Sequence, residues 1–217
     1  MKEKAKQPDT RNTWQSVKSL SISFKKFLIP IGIFGISNFA PTFLILRAET
    51  LLSPTHGILL AGTFAIGLYT FSNVVYAIIG YPIGVLADRY SKKNILTVGY
   101  VLFALLCFGF IFADGHFWIL VALFALNGMY TAIIESSQPA LASTLIASDH
   151  HGAGYGVMSS VDGVGDFLSS ITVGLLWTSF SPAVGFLFGG ILAVTASIIL
   201  FLIRLPKNPF AHEQPIA

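Results

Sequence analysis

Gly84-Val85-Leu86-Ala87-Asp88-Arg89-Tyr90-Ser91-Lys92-Lys93 is a short charged turn set between two long apolar runs. Residues 58–87 ahead of it and 95–113 behind it contain no Asp, Glu, Lys or Arg. A hydrocarbon core about 30 Å thick is crossed by a helix of about 20 apolar residues. Each run therefore has the length and composition of a membrane span, and the turn is the aqueous connection between them.

The rest of the chain reads the same way. Of its 217 residues 54% are hydrophobic and 11% charged, against about 25% charged in soluble domains, which excludes an ordinary soluble domain. Apolar runs give six spans, at about 27–46, 58–86, 95–113, 117–146, 155–180 and 183–203. The predicted fold is an all-α membrane protein of six transmembrane helices. Its expected organisation is a basic leader over 1–26, a six-helix bundle over 27–205 and a tail over 206–217. The basic leader is not a signal peptide, because the run after it is too long for a signal core and five more follow. Pro30, Pro41, Pro82 and Pro139 fall inside spans and are read mainly as kinks, which neighbouring helices or water-lined cavities make tolerable.

Six spans place both ends on one side. That side holds twelve of the thirteen Lys and Arg residues, and the other holds only Arg47, near the outer end of the first span. Basic residues stay on the cytoplasmic side, so both termini are expected inside, in a multi-pass protein of the cell membrane (the inner membrane in a Gram-negative source). Arg47 is expected to snorkel to the outer interface. Trp118 and Trp177 then fall near that interface. Charge says nothing in favour of nucleic acid as a partner. Cys107, the single cysteine, leaves no intrachain disulfide to form.

The charged turn resembles the signature loop of the major facilitator superfamily of secondary transporters, a glycine, three residues, an acid, a base, any residue, glycine, any residue and a base. Gly84, Asp88, Arg89 and Lys93 fit this pattern, Lys92 adds a base, and Ser91 stands where the family has glycine. The flanking stretches Phe43-Leu44-Ile45-Leu46-Arg47, Asn73-Val74-Val75-Tyr76-Ala77 and Glu135-Ser136-Ser137-Gln138-Pro139-Ala140-Leu141 are similar to the second half of one bacterial-type branch. The resemblance covers about 24–205, but only the C-terminal six-helix half of a usual member; the leader then corresponds to the central loop. It implies alternating access between two bundles around a central site. It also implies that Asp88 latches the halves together on the cytoplasmic side. Gly80 and Gly84 give that region a face of small residues for close helix approach, as do Gly152 and Gly156 at the start of the fifth span.

Three acids sit inside spans with no span-interior lysine or arginine near them in sequence: Glu135, Asp162 and Asp166. A carboxylate at the bilayer centre costs about 2.5–3.5 kcal/mol on insertion scales. Such residues are either protonated or face water, a proton path or a cationic substrate; the plainer alternative is a hydrogen bond across to groups such as Tyr130, Asn127 or Ser170. Asp162 and Asp166, four apart, share a helix face. At about 1.5 Å per residue, Glu135 and Asp162 lie at similar depth in the cytoplasmic half and Asp166 lies near the midplane. These three are the candidate cavity or proton-coupling residues. Asn38, Asn73, Asn127 and Gln138 are further polar groups in apolar runs, suited to the cavity or to interhelical hydrogen bonds.

Gly163-Val164-Gly165-Asp166 and Gln138-Pro139-Ala140-Leu141 also read as the GxGD and PAL elements of intramembrane aspartyl proteases. Their order is reversed, however, and no Tyr-Asp pair supplies a second catalytic aspartate. No phosphate-binding glycine loop occurs, and the adjacent His150 and His151 lack a ligand cluster for a metal. The expectation is a protein that is not an enzyme and needs no cofactor or metal. It is read as half of a secondary transporter for a small-molecule substrate, ion- or proton-coupled, embedded in the lipid bilayer. Its partner would be an N-terminal six-helix half or a second copy of itself. The alternatives are a truncated remnant that transports nothing and a regulatory subunit.

Overall fold

The computed structural model describes residues 20–206, and at Asp88 the backbone alone. Most of the basic leader and nearly all of the tail thus lie outside the described residues. Within them the chain forms α1 (Ile22–Ser37), α2 (Thr42–His56), α3 (Ile58–Arg89), α4 (Lys92–Phe112), α5 (Phe117–Leu145), a 3-10 turn (Ser148–His150), α6 (His151–Ser179) and α7 (Pro182–Leu202).

Local chemistry sets the ends of these helices. The Ser21 hydroxyl accepts from the Phe24 amide at 3.1 Å and donates to the Leu145 carbonyl at 2.7 Å. One side chain thereby caps the start of α1 and ties it to the end of α5. Ser21→Ala is expected to cost about 1 kcal/mol, as lost N-caps do, read as a lower unfolding temperature in detergent. Gly57, between α2 and α3, has φ of 75° and Gly115, between α4 and α5, has φ of 85°. Side chains rarely tolerate that region. At Gly115 a Cβ would also lie 2.5 Å from the Leu51 carbonyl oxygen.

The sequence predicts one continuous first span over 27–46, and the structure replaces it with two helices. Proline at 41 has no amide to donate back to Ser37 and its ring crowds that carbonyl, so the helix stops at Ser37. Asn38 takes φ −86°, ψ 89°, its amide donating back to the Phe34 and Gly35 carbonyls. Helix restarts at Thr42, with Pro41 as its N-cap.

By length and apolarity five stretches qualify as spans, with Ile22–His56 counted as one. The sixth, α6, is 29 residues long, about 43 Å at helical rise, but is not apolar enough to be among them. Its polar positions include Asp162, Asp166 and Ser170, and they face the interior described below. The six-span architecture therefore holds, with α1 and α2 sharing one span.

In the packing, α3 lies on α2 and α5, α4 on α5 and α7, and α1 on α6 and α7, whereas α5 and α6 scarcely touch. The core between α1, α4, α5 and α7 is aromatic. Phe34 stacks on Tyr100 at 4.0 Å between ring centroids, Phe110 stacks on Phe186 at 5.2 Å, and Phe103 meets Tyr130 edge-on at 4.9 Å. Cys107 is fully buried. Large apolar side chains such as Leu59, Ile78, Phe167 and Leu175 are exposed, which suits a lipid surround rather than water.

Candidate functional site

Because α5 and α6 stand apart, polar stripes on three otherwise apolar helices face one space. On α3 the stripe is Tyr69, Asn73 and Tyr76; on α5 it is Asn127, Tyr130, Thr131 and Glu135; on α6 it is Asp166 and Ser170. Together with the broken segment 38–41 they line a cavity of about 440 Å³. A second cavity of about 490 Å³ shares Asn38, Glu135 and Asp166 with the first and extends to Gln138, Met158 and Asp162. The two form adjoining lobes, with Glu135 and Asp166 at their junction.

Hydrogen bonds across the helices fix this geometry. Asn38 Nδ2 donates to Asp166 Oδ1 at 3.3 Å, and the Tyr130 hydroxyl donates to Asn38 Oδ1 at 3.4 Å. The Ala40 amide, freed by the break in the helix, donates to Ser170 Oγ at 3.1 Å. Thus α6 satisfies a backbone amide that the break leaves open, as non-helical backbone at membrane depth requires, and holds the Asn38 side chain. Gln138 Nε2 donates to Asp162 Oδ2 at 2.5 Å, and the Tyr100 hydroxyl donates to Gln138 Oε1 at 3.5 Å. The Tyr76 hydroxyl donates to Glu135. Asn127 Nδ2 donates to Ser72 Oγ at 2.6 Å, while the buried Asn127 Oδ1 has no partner. Asn73 donates to the Tyr69 carbonyl at 2.9 Å.

Glu135, Asp166, Asn38, Asn73 and Asn127 are therefore brought together at one cavity, and Asp162 and Gln138 at the adjoining lobe. No Lys, Arg or His lines either lobe. The site carries three carboxyl groups and further hydrogen-bond acceptors, with tyrosines among the lining residues. Among the described residues no group of His, Cys, Asp and Glu could hold a metal ion.

Sequence reasoning passed over Tyr69, Tyr76, Thr131 and Ser170 as cavity residues. Their signal was available: each falls three or four residues from an already suspected polar group, so the stripes have helical period.

The charged turn lies apart from the cavity. Arg89 is exposed and Lys92 half-buried, while the Asp88 side chain lies outside what the structure describes. Lys93 Nζ donates to the carbonyls of Phe201 and Ile203 at 2.8 and 2.7 Å. A cation at the last carbonyls of a helix is stabilising, so within this chain Lys93 caps α7. A Cβ placed on Gly80, Gly84, Gly152 or Gly156 would meet nothing within 4 Å among the described residues. Arg47 is half-buried, with its Nε buried and unpartnered, where the sequence suggests a side chain extended to the interface.

The family model described as Major Facilitator Superfamily matches residues 21–216. An uncharacterised MFS-type transporter of Methanocaldococcus jannaschii is 32% identical over 204 residues, covering 94% of this chain and 50% of that protein. The quinolone resistance protein NorA of Staphylococcus aureus is 28% identical over 187 residues, covering 85% of this chain and 45% of that protein. An uncharacterised MFS-type transporter of Mycobacterium tuberculosis is 25% identical over 138 residues, 63% of this chain and 32% of that protein. The chain spans about half the length of the first two of these relatives, or less.

Proposed function

The chain belongs to the Major Facilitator Superfamily, and from that premise we propose that it is one six-helix half of a secondary active transporter. It is a transporter protein of the membrane rather than an enzyme. In the proposed mechanism a small solute enters the cavity between α3, α5 and α6. It crosses by alternating access as this bundle rocks against a second six-helix bundle, with an ion or proton gradient driving the cycle through Glu135, Asp162 or Asp166. The observation that carries this reading is the cavity itself: polar stripes of three spans and a broken helix converge on acids at membrane depth. Relatives of about twice the length support a second half as the partner.

Reconstitution tests it. Proteoliposomes containing the chain together with a second six-helix half should accumulate solute under an imposed proton or sodium gradient, and the chain alone should not. No uptake by the pair under either gradient would leave the non-transporting remnant or regulatory subunit as the reading. Solute uptake by the chain as a monomer would overturn the need for a partner.

A second reading is a homodimer, favoured by the open glycines near the ends of both α3 and α6. Two-fold pairing would set Asp88 of one copy against the start of α6 in the other. A disulfide between cysteines placed at 88 and 155 of separate copies would establish it, and its absence in native membranes would leave the heterologous pair.

The proposed orientation puts both termini in the cytoplasm of a cell-membrane protein. Impermeant thiol reagents are expected to miss cysteines introduced near either terminus in intact cells and to label them after permeabilisation. Labelling of both from outside would invert the topology and the side on which the charged turn sits.

A further inference from the structure

We propose that the cavity between α3, α5 and α6 takes a protonated primary or secondary amine, held by N–H donation to Glu135, Asp166 and Asn127 Oδ1, and that it discriminates against quaternary ammonium and carboxylate solutes. The inference rests on the transporter reading and deepens it by naming the substrate class.

The argument is an inventory of hydrogen-bonding capacity. Most donors on the walls are already committed to protein oxygens, the Tyr69 and Ser170 hydroxyls being the exceptions. Tyr76 donates to Glu135, Tyr130 to Asn38, Asn127 Nδ2 to Ser72, Asn73 to the Tyr69 carbonyl and Thr131 to the Asn127 carbonyl. Acceptors are left over. A carboxylate offers about four lone-pair sites, yet Glu135 accepts from one side chain, Tyr76, and Asp166 from one, Asn38. Independently of the acids, Asn127 lines the cavity, is 4% exposed, and keeps its Oδ1 without any partner. A buried acceptor with no donor is costly, and a ligand N–H removes that cost.

Charge and shape select further among donors. With two carboxylates and no basic side chain on the walls, the occupant is cationic. Tyr69, Tyr76 and Tyr130 also line the cavity, and aromatic rings attract a cation and accept an apolar body. A quaternary ammonium satisfies the charge and the rings but has no N–H for Asn127 Oδ1 or for the free carboxylate oxygens. A carboxylate solute meets like charge and brings only acceptors. Asp162, in the adjoining lobe with Gln138 as its donor, is outside this set.

Equilibrium binding of radiolabelled phenethylamine to the purified chain in lipid nanodiscs tests the inference. Saturable binding is expected, displaced by unlabelled phenethylamine, about tenfold or more weakly by its N,N,N-trimethyl derivative, and not by 3-phenylpropionate; a tenfold ratio corresponds to about 1.4 kcal/mol. Asp166→Asn is expected to weaken binding about tenfold. Asp166→Glu should keep the order of competitors, and Asp114→Asn in the loop between α4 and α5 should change nothing. Absence of saturable binding, or equal competition by the quaternary or carboxylate analogue in the unmutated chain, overturns the amine site whatever the variants do. Amine-selective binding with no uptake by the assembled pair would sink the transporter reading alone. Uptake without preference for the amine would sink this inference alone.

Discussion

A Gly165→Val chain is expected to lose the seat of α6 against α1, and with it the cavity. A Cβ on Gly165 would lie 2.8 Å from both Cα and carbonyl carbon of Gly35 and 3.1 Å from the Ile36 nitrogen. The obstruction is backbone, which cannot swing aside as a flexible side chain can. Overpacking in a core costs about 1–3 kcal/mol and sometimes more, and a backbone-to-backbone clash belongs at the upper end. The next residue, Asp166, is the one bonded to Asn38, so separating the helices also releases the broken segment. Thermal unfolding of purified protein should show a large drop for Gly165→Val. Gly80→Ala, Gly84→Ala and Gly156→Ala should unfold with the parent, because those positions are open. Equal unfolding of Gly165→Val and the parent would mean that α1 and α6 do not meet as described.

Asp166→Asn is expected to lower transport by the assembled pair about tenfold or more, equivalent to at least about 1.4 kcal/mol, without harming insertion. Removing a charge from membrane depth eases insertion, since Asp at a span centre costs about 2.5–3.5 kcal/mol on insertion scales. The asparagine Oδ1 can still accept from Asn38, so the hydrogen bond across the break survives while the charge does not. Uptake at several pH values, normalised to the amount of inserted protein, separates the two effects. Unchanged uptake with an unchanged pH profile would remove Asp166 from the transport cycle.

The charged turn and the six apolar runs along the chain suffice to read a six-span membrane protein, because a helix crosses lipid only over about 20 predominantly apolar residues and few other patterns satisfy that constraint. The acids are legible for the same reason: Glu135, Asp162 and Asp166 are costly where they stand, and cost without an evident partner points to a site. What eludes the sequence is how the first span breaks. Pro41 reads as a kink, and nothing local says that Asn38, Phe39 and Ala40 leave the helix. That outcome depends on residues well over a hundred positions away: Ser170 placed to satisfy the freed Ala40 amide, and Asp166 placed to hold the Asn38 side chain. Lys93 eludes it too. Its position in a signature pattern suggests a topological charge, whereas its contacts with Phe201 and Ile203 come from α7 folding back beside α4.

The interruption at 38–41 has a mechanical meaning. A continuous helix transmits bending along its whole length, because tilting one end strains the ladder of hydrogen bonds throughout. Here the ladder is already open between Ser37 and Thr42, and the two pieces lean on different neighbours, α1 chiefly on α6 and α7, α2 chiefly on α3. The first span therefore works as a jointed rod. A tilt of α2 with α3 while α1 stays seated would break no helical hydrogen bond in either piece. The joint is bonded to Asp166 and Ser170 and lines the cavity itself, so an occupant of the cavity would sit against the place where the span is interrupted.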